Sequence, residues 1–235
     1  YKGKKYGEYW DLKNGYNFCM ERDAMLEYYR DNRPLMLHYM HEIANFNPVV
    51  VGCSVKVTCR VVTELFLEDF RNLYPGHKHV LGGPEVAHFM KNSDELLSRD
   101  YIDAVCQDEG EHALLEYVKA VKEGAGRSVK GLLYKHNSTV VESAPSQYID
   151  KLDTLPFPDF DDCFLNHYEN RYALPTYTTR GCVNKCNYCS AIGFMTNGEY
   201  PFRVRSAKRS FDEIVHLKKK HPQVKEFRNC DNISN

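Results

Sequence analysis

Val49-Val50-Val51-Gly52-Cys53-Ser54 is a short β-branched apolar run ending in small residues, the pattern of a buried parallel strand that opens into a loop. The pattern repeats. An amphipathic stretch from Val61 to Leu73 passes through Pro75-Gly76 into His79-Val80-Leu81 and the breaker Gly82-Gly83-Pro84. A third pass runs from Tyr101 to Cys106, through the polar loop Gln107-Asp108-Glu109-Gly110, into a helix from Glu111 to Lys122 that Gly124 and Gly126 end. Strands alternating with such helices pair in parallel through right-handed crossovers, and ligands sit at the strands' carboxyl ends. Here those ends carry Ser54, Gly82, Gly83 and Glu109. The expected fold class is α/β.

Working outward, apolar residues recur at helical spacing from Ala24 to Phe46, and Pro34 divides them into two helices, the second over Leu35 to Asn45. Downstream, Gly131 to Tyr134 and Thr139 to Val141 flank His136-Asn137-Ser138 and read as a closing hairpin. The first domain is placed at residues 1–150. Leu155-Pro156-Phe157-Pro158 cannot be regular secondary structure, because two prolines two apart remove donors and extend their predecessors. Residues 151–174 are therefore read as a linker and 175–235 as a second domain. It opens on the strand Thr176-Tyr177-Thr178-Thr179, which runs into Arg180-Gly181-Cys182. Ser210-Phe211-Asp212-Glu213 fits a capping box for a helix from Phe211 to Lys220, and Val224 to Arg228 reads as the next strand.

Composition narrows the function class. The 235 residues carry a formal net charge of −1, spread along the chain, so no footprint for nucleic acid stands out. No stretch approaches the ~20 consecutive apolar residues of a membrane span, and a cytoplasmic setting is expected. There the nine cysteines stay reduced, and clustered thiols bind metal or do chemistry. Six are scattered: Cys19, Cys53, Cys59, Cys106, Cys163 and Cys230. The histidines, among them His77, His79 and His136, read as surface or satisfied core residues.

Cys182, Cys186 and Cys189 fall within one short loop leaving a strand, which suits a compact polynuclear centre of soft ligands. A structural zinc site would need a second paired Cys/His element, and none lies downstream. A ferredoxin-type cluster would need a fourth cysteine, for which Cys230 is the candidate. Three thiolates on a four-iron cube leave one iron open, as a catalytic centre requires.

The Cys-x3-Cys-x2-Cys spacing, with aromatic Tyr188 before the last cysteine, resembles the signature of the radical SAM superfamily. Gly82-Gly83-Pro84, Asp108-Glu109-Gly110-Glu111, Leu155-Pro156-Phe157-Pro158, Thr179-Arg180-Gly181-Cys182 and Arg203-Val204-Arg205-Ser206 follow in an order similar to the subgroup with an N-terminal cobalamin-binding domain. The resemblance implies a Rossmann-like cobalamin-binding domain, incomplete at its start, followed by the first strand-helix units of a partial (β/α) barrel. It implies a [4Fe-4S] cluster on Cys182, Cys186 and Cys189, with S-adenosylmethionine chelating the open iron and yielding a 5′-deoxyadenosyl radical on reduction. Tyr188 and Asp231 would contact S-adenosylmethionine; Ser54, Gly82, Gly83 and Glu109 would line the cobalamin edge.

Methyl transfer to an unactivated carbon of a small-molecule substrate is the expected reaction, with a flavodoxin or ferredoxin as electron donor. A radical SAM methylthiotransferase, using Cys19, Cys53 and Cys106 for another cluster, is the second enzyme reading. A non-catalytic cobalamin-binding or electron-transfer module is the third. Only 60 residues follow Pro175, whereas six strand-helix units of ~30 residues would need ~180. The expectation is thus a chain truncated at both ends and inactive alone.

Overall fold

The computed structural model describes residue 19 and residues 21–88, 93–107, 109–126, 128–137, 139–141, 148–163, 172–184, 186 and 201–231. The chain divides into two compact units, Tyr1–Gln147 and Tyr148–Asn235.

In the first unit, α1 (Arg22–Asp31) and α2 (Arg33–Phe46) meet at Asn32, and Pro34 lies in the first turn of α2. An amide is spare in a first turn, so the proline starts the helix rather than delaying it to Leu35. Strand β1 (Val50–Ser54) leads through α3 (Arg60–Leu73) to β2 (Lys78–Gly82). The short helices α4 (Pro84–His88) and α5 (Ser93–Ser98) lead to β3 (Ala104–Cys106), and α6 (Gly110–Glu123) leads to β4 (Leu132–His136) and β5 (Thr139–Val141).

The sheet runs β1-β2-β3-β4-β5, in chain order. The first three strands are parallel, with Val50 opposite Lys78, Ser54 opposite Gly82 and Val80 opposite Ala104. Strands β4 and β5 are antiparallel, forming the expected hairpin. Strand alternation sorts the side chains onto two faces. Val51, Val55, Leu81 and Val105 pack with Met40, Leu67 and Phe70 on the side of α2 and α3. Val80, Ala104, Cys106, Leu132 and Tyr134 pack with Ala113, Tyr117 and Ala120 of α6 on the other.

At the amino end of β2 and β3 a buried polar knot fixes the register. Asp103 accepts from the His79 amide at 2.8 Å and Lys78 Nζ at 2.9 Å, and pairs with Arg71. Burial alone would raise its carboxyl; these donors outweigh burial and hold it below its usual value. His79 is fully buried against Phe70, with Nδ1 2.8 Å from the Tyr101 carbonyl and no partner for Nε2 among the described residues. Burial favours the neutral ring and lowers its pKa to about 4.

In the second unit, β6 (Ala173–Thr176) pairs in parallel with β9 (Glu226–Asn229), and α7 (Ala207–Lys220) lies between them in sequence. Leu174, Leu217 and Val224 are buried together, with Phe160 and Phe227 against them. A second ribbon pairs β7 (Thr179–Arg180) antiparallel with β8 (Arg203–Val204). The strand expected over 176–179 is therefore two strands, broken at Tyr177 and Thr178.

The capping box expected at Ser210 is not formed. Ser206 is the N-cap, its Oγ accepting from the Arg209 amide at 3.1 Å, so α7 begins one turn earlier. The Ser210 hydroxyl donates back to the Ser206 carbonyl, and Glu213 pairs with Arg205. Within the stretch read as a linker, Leu152 and Leu155 are buried with Ile149. No helix among the described residues is long and apolar enough to cross a membrane.

Candidate functional site

The carboxyl edge of the first sheet is made of small residues. Ser54, Gly82 and Cys106 end adjacent strands in one row, and a Cβ on Gly82 would lie 3.5 Å from the Cys106 Cβ, an ordinary contact. By strand alternation Gly52 and Ser54 share Val50's face, the α6 side. The buried residues of α6 pack over β2, β3 and β4. Gly52 is exposed, and a Cβ there would meet nothing within 4 Å. Among the described residues the result is an open trough floored by Gly52, Ser54 and Gly82.

Gly83 is required by local geometry as well. Its φ is +95°, and a Cβ would come within 2.8 Å of Ser54 Oγ and of the Val55 backbone. The Val55 amide donates to the Gly82 carbonyl at 2.7 Å, and the Glu85 amide to the Val55 carbonyl at 3.1 Å. Gly83 thus lets the loops leaving β1 and β2 touch, which holds Ser54 at the trough's rim. Glu109 is half-buried at the N-cap of α6, on the same edge, and makes no side-chain cap bond.

The cysteine loop of the second unit rises from a stem. The β7–β8 pairing brings Thr179 opposite Val204 and Arg180 opposite Arg203. Gly181, at φ +84°, lies so close to Pro201 that a Cβ would overlap the proline carbonyl. Just beyond, Cys182 and Cys186 are half-buried free thiols, and the Asn184 amide points at Cys182 Sγ, 3.4 Å away. Tyr188 and Cys189 lie outside the described residues.

Asp231 follows β9 and turns back onto this stem. Its Oδ1 accepts from the Thr178 amide at 2.8 Å and the Thr179 amide at 2.9 Å, and its Oδ2 accepts from the Thr178 hydroxyl. Burial would raise the carboxyl; the hydroxyl and the two amides outweigh it and hold the group below its usual value.

Sequence reading missed what the Arg-Val-Arg-Ser motif does. Buried Arg203 bonds the Pro201 and Ile149 carbonyls at 3.1 Å and lies over the Tyr148 ring. Arg205 pairs with Glu213, their side chains 9% and 3% exposed. The Ser206 amide bonds Asp153, and Arg209 bonds the Leu155 carbonyl and covers the Phe157 ring. The motif fastens residues 148–157 to the stem and to α7. The basic residues were a signal; their partners, some fifty positions earlier, were not.

Cys53 and Cys106, two of the three cysteines offered for another cluster, do not come together. Cys53 packs with the α3 side of the sheet and Cys106 with the α6 side, so one cluster cannot bridge them. Burial first, and then nearby Cys59, push the Cys53 thiol up to about 11 and raise Cys19 as well. Such thiols stay protonated and ligate poorly. Among the described residues no group of three or more His, Cys, Asp or Glu side chains is set to hold a metal ion.

An α/β unit with a small-residue edge is followed by a strand stem that leads into the cysteine loop. In sequence the chain is similar to proteins named as a methyltransferase and a cyclase, and in fold to a cobalamin-dependent radical enzyme. No protein-family model matches it. Among curated proteins it is 31% identical over 157 residues to an uncharacterized methyltransferase of Pyrococcus horikoshii, covering 63% of this chain and 33% of that protein. It is 30% identical over 190 residues to the anaerobic magnesium-protoporphyrin IX monomethyl ester cyclase of Rubrivivax gelatinosus, covering 77% of this chain and 33% of the cyclase. The chain therefore spans about a third of each relative's length. In fold it resembles OxsB, a cobalamin-dependent S-adenosylmethionine radical enzyme solved with aqua-cobalamin and S-adenosylmethionine, at a TM-score of 0.65 and 18% identity, over 84% of this chain and 27% of that one.

Proposed function

We propose that this chain is the cofactor-holding part of a cobalamin-dependent radical SAM enzyme that transfers methyl groups to an unactivated carbon. The observation that carries the reading is the conjunction of the trough floored by Gly52, Ser54 and Gly82 with the stemmed loop that presents Cys182 and Cys186 as free thiols. A flat cofactor tail needs backbone-level access, which side chains on those strands would deny. The cysteines present soft donors, and with Cys189 they make a three-ligand set for a [4Fe-4S] cluster.

When bound, the cluster and S-adenosylmethionine supply the radical, and cobalamin carries the methyl group. The chain's own residues do the positioning. Ser54 Oγ stands at the trough's rim, held by the Gly83 contact, as a donor for a polar ligand edge. Glu109 lies beside the same edge. Gly181 and the β7–β8 pairing bring Cys182 to the top of the stem, where the Asn184 amide steadies its sulfur.

The relatives' names divide between a methyltransferase and a ring-closing cyclase, and label transfer from methyl-deuterated S-adenosylmethionine to product separates the two. The methylthiotransferase alternative is disfavoured by the opposite faces of Cys53 and Cys106. The first experiment is anaerobic reconstitution with iron, sulfide and hydroxocobalamin, then iron counting and EPR with and without S-adenosylmethionine. The expected result is about four irons, a reduced signal that S-adenosylmethionine alters, and retained cobalamin. Zinc, or no metal in a folded sample, refutes the cluster. About four irons without cobalamin return the first unit to an unassigned α/β module.

A further inference from the structure

We infer that Asp231 is a positioning residue, which locks the turn beneath the cysteine loop with its carboxylate instead of reaching a ligand. This rests on the cluster reading above and deepens it.

A ribbon of two residue pairs is marginal on its own, since even longer isolated hairpins barely hold in water. Something else must fix the stem. Thr178, the residue before it, is held on every polar atom: its amide and hydroxyl donate to Asp231, and its carbonyl accepts from the Arg205 amide at 2.8 Å. The Thr179 amide donates to Asp231 as well, at 2.9 Å. Asp231 is itself anchored, because its amide bonds Asn229 Oδ1 at 2.8 Å and the preceding Cys230 amide bonds the Thr176 carbonyl at 2.9 Å. The end of β9 thus grips the start of β7.

Three of the carboxylate's four lone-pair sites are taken by the stem, Oδ1 holding two amides and Oδ2 one hydroxyl. A ligand ammonium would have to displace at least one of them to gain a second bond. The sequence expectation that Asp231 contacts S-adenosylmethionine meets a side chain already occupied.

The test compares Asp231→Ala, Asp231→Asn and Val224→Ala in the reconstituted protein. Val224 is buried in the core of the same unit and far from the stem in sequence, so it reports general destabilisation. Three readouts are taken: iron release to a strong chelator, the effect of S-adenosylmethionine on the reduced EPR signal, and Tm of the apoprotein. Loss of a supporting shell around a metal site typically costs about 10- to 100-fold in affinity, and iron release from Asp231→Ala should accelerate on that scale. The Asn variant keeps an oxygen for the two amides and should restore most of the retention, with the S-adenosylmethionine effect intact. Val224→Ala should lower Tm without matching the iron loss. Equal iron loss from Val224→Ala and Asp231→Ala at similar Tm would reduce Asp231 to a fold residue and overturn the inference. Full iron in Asp231→Asn with no S-adenosylmethionine effect would make it a ligand and overturn it too. A wild-type protein that takes up no iron fails the cluster reading itself, and is recognised by that control alone.

Discussion

The carboxyl edge of the first sheet and the stem of the cysteine loop are both places where a strand gives way to a loop, yet they are built in opposite ways. At the sheet edge the residues are small and space is left open, with nothing within 4 Å of where a Gly52 Cβ would stand. At the stem every polar atom of Thr178 is engaged, by Asp231 and by the Arg205 amide, and Asp231 also takes the Thr179 amide. Even the positive-φ glycines differ in surroundings: Gly83 abuts a neighbouring loop beside the open trough, and Gly181 abuts the opposite strand of a closed ribbon. On the proposed reading the contrast has a reason: a surface that accepts a large preformed cofactor gains from vacancy, and thiolates that converge on a small cluster gain from rigidity.

The largest expected effect breaks the rigid side. Gly181→Ala combines a strained φ, worth about 1–3 kcal/mol, with a Cβ overlapping the Pro201 carbonyl. The stem should part, and if the proposed cofactors bind, reconstituted iron should fall below half of wild type while cobalamin absorbance persists. Iron content unchanged in this variant would show that the stem does not govern the loop.

Next comes acid sensitivity, which belongs to the first unit. His79 is neutral when folded, with a pKa of about 4 against an ordinary 6.5, so the unfolded chain binds the extra proton between those values. Its contribution is present above pH 6.5 and is lost as pH falls toward 4. Between pH 8 and 5 the loss is about 2 kcal/mol, and a urea titration of wild type against His79→Leu should show the variant's midpoint to be the less pH-dependent. The lowered Asp103 carboxyl contributes with the same sign but only at lower pH, near and below its ordinary 3.8.

A smaller effect sharpens the open side. Gly52→Ala meets no neighbour, and alanine in place of a strand glycine should stabilise the unit by about 0.5–1 kcal/mol. If the trough receives cobalamin, the same methyl group should weaken cobalamin retention, so Tm and binding move in opposite directions. The smallest effect falls on Lys220, whose ammonium joins exposed Asp159 and Asp161. Lys220→Ala should shift stability by under about 1 kcal/mol and leave iron content alone.

Much of this contrast was legible in sequence, unevenly. Val49 to Val51 and His79 to Leu81 announce their strands because a run of β-branched and apolar residues has few other uses. The cysteine spacing marked its loop for the same kind of reason. Less legible was why a residue is there. Gly83 reads as access for a ligand, and the clearance it gives Ser54 and Val55 has no local signal in the sequence. Asp231 reads as a ligand, and it also bonds Thr178 and Thr179, a pairing that no local pattern announces. Ser210 satisfies the capping-box pattern, but Ser206, one turn earlier, takes the cap because the chain enters the helix from β8. Local rules locate elements; partners distant in sequence decide roles.

The order of the first sheet also bears on how the molecule is made. Every strand there hydrogen-bonds to the next one in the chain, so each pairing can zip onto the last with a single crossover to close. In the second unit β6 meets no strand of its own sheet until β9, and Ala173 must find Glu226 across the whole cysteine loop. Loop-closure entropy makes that the slower step. The first sheet can therefore close before the cysteine loop is tied down, and on the proposed reading that order leaves the loop free while a cluster is assembled.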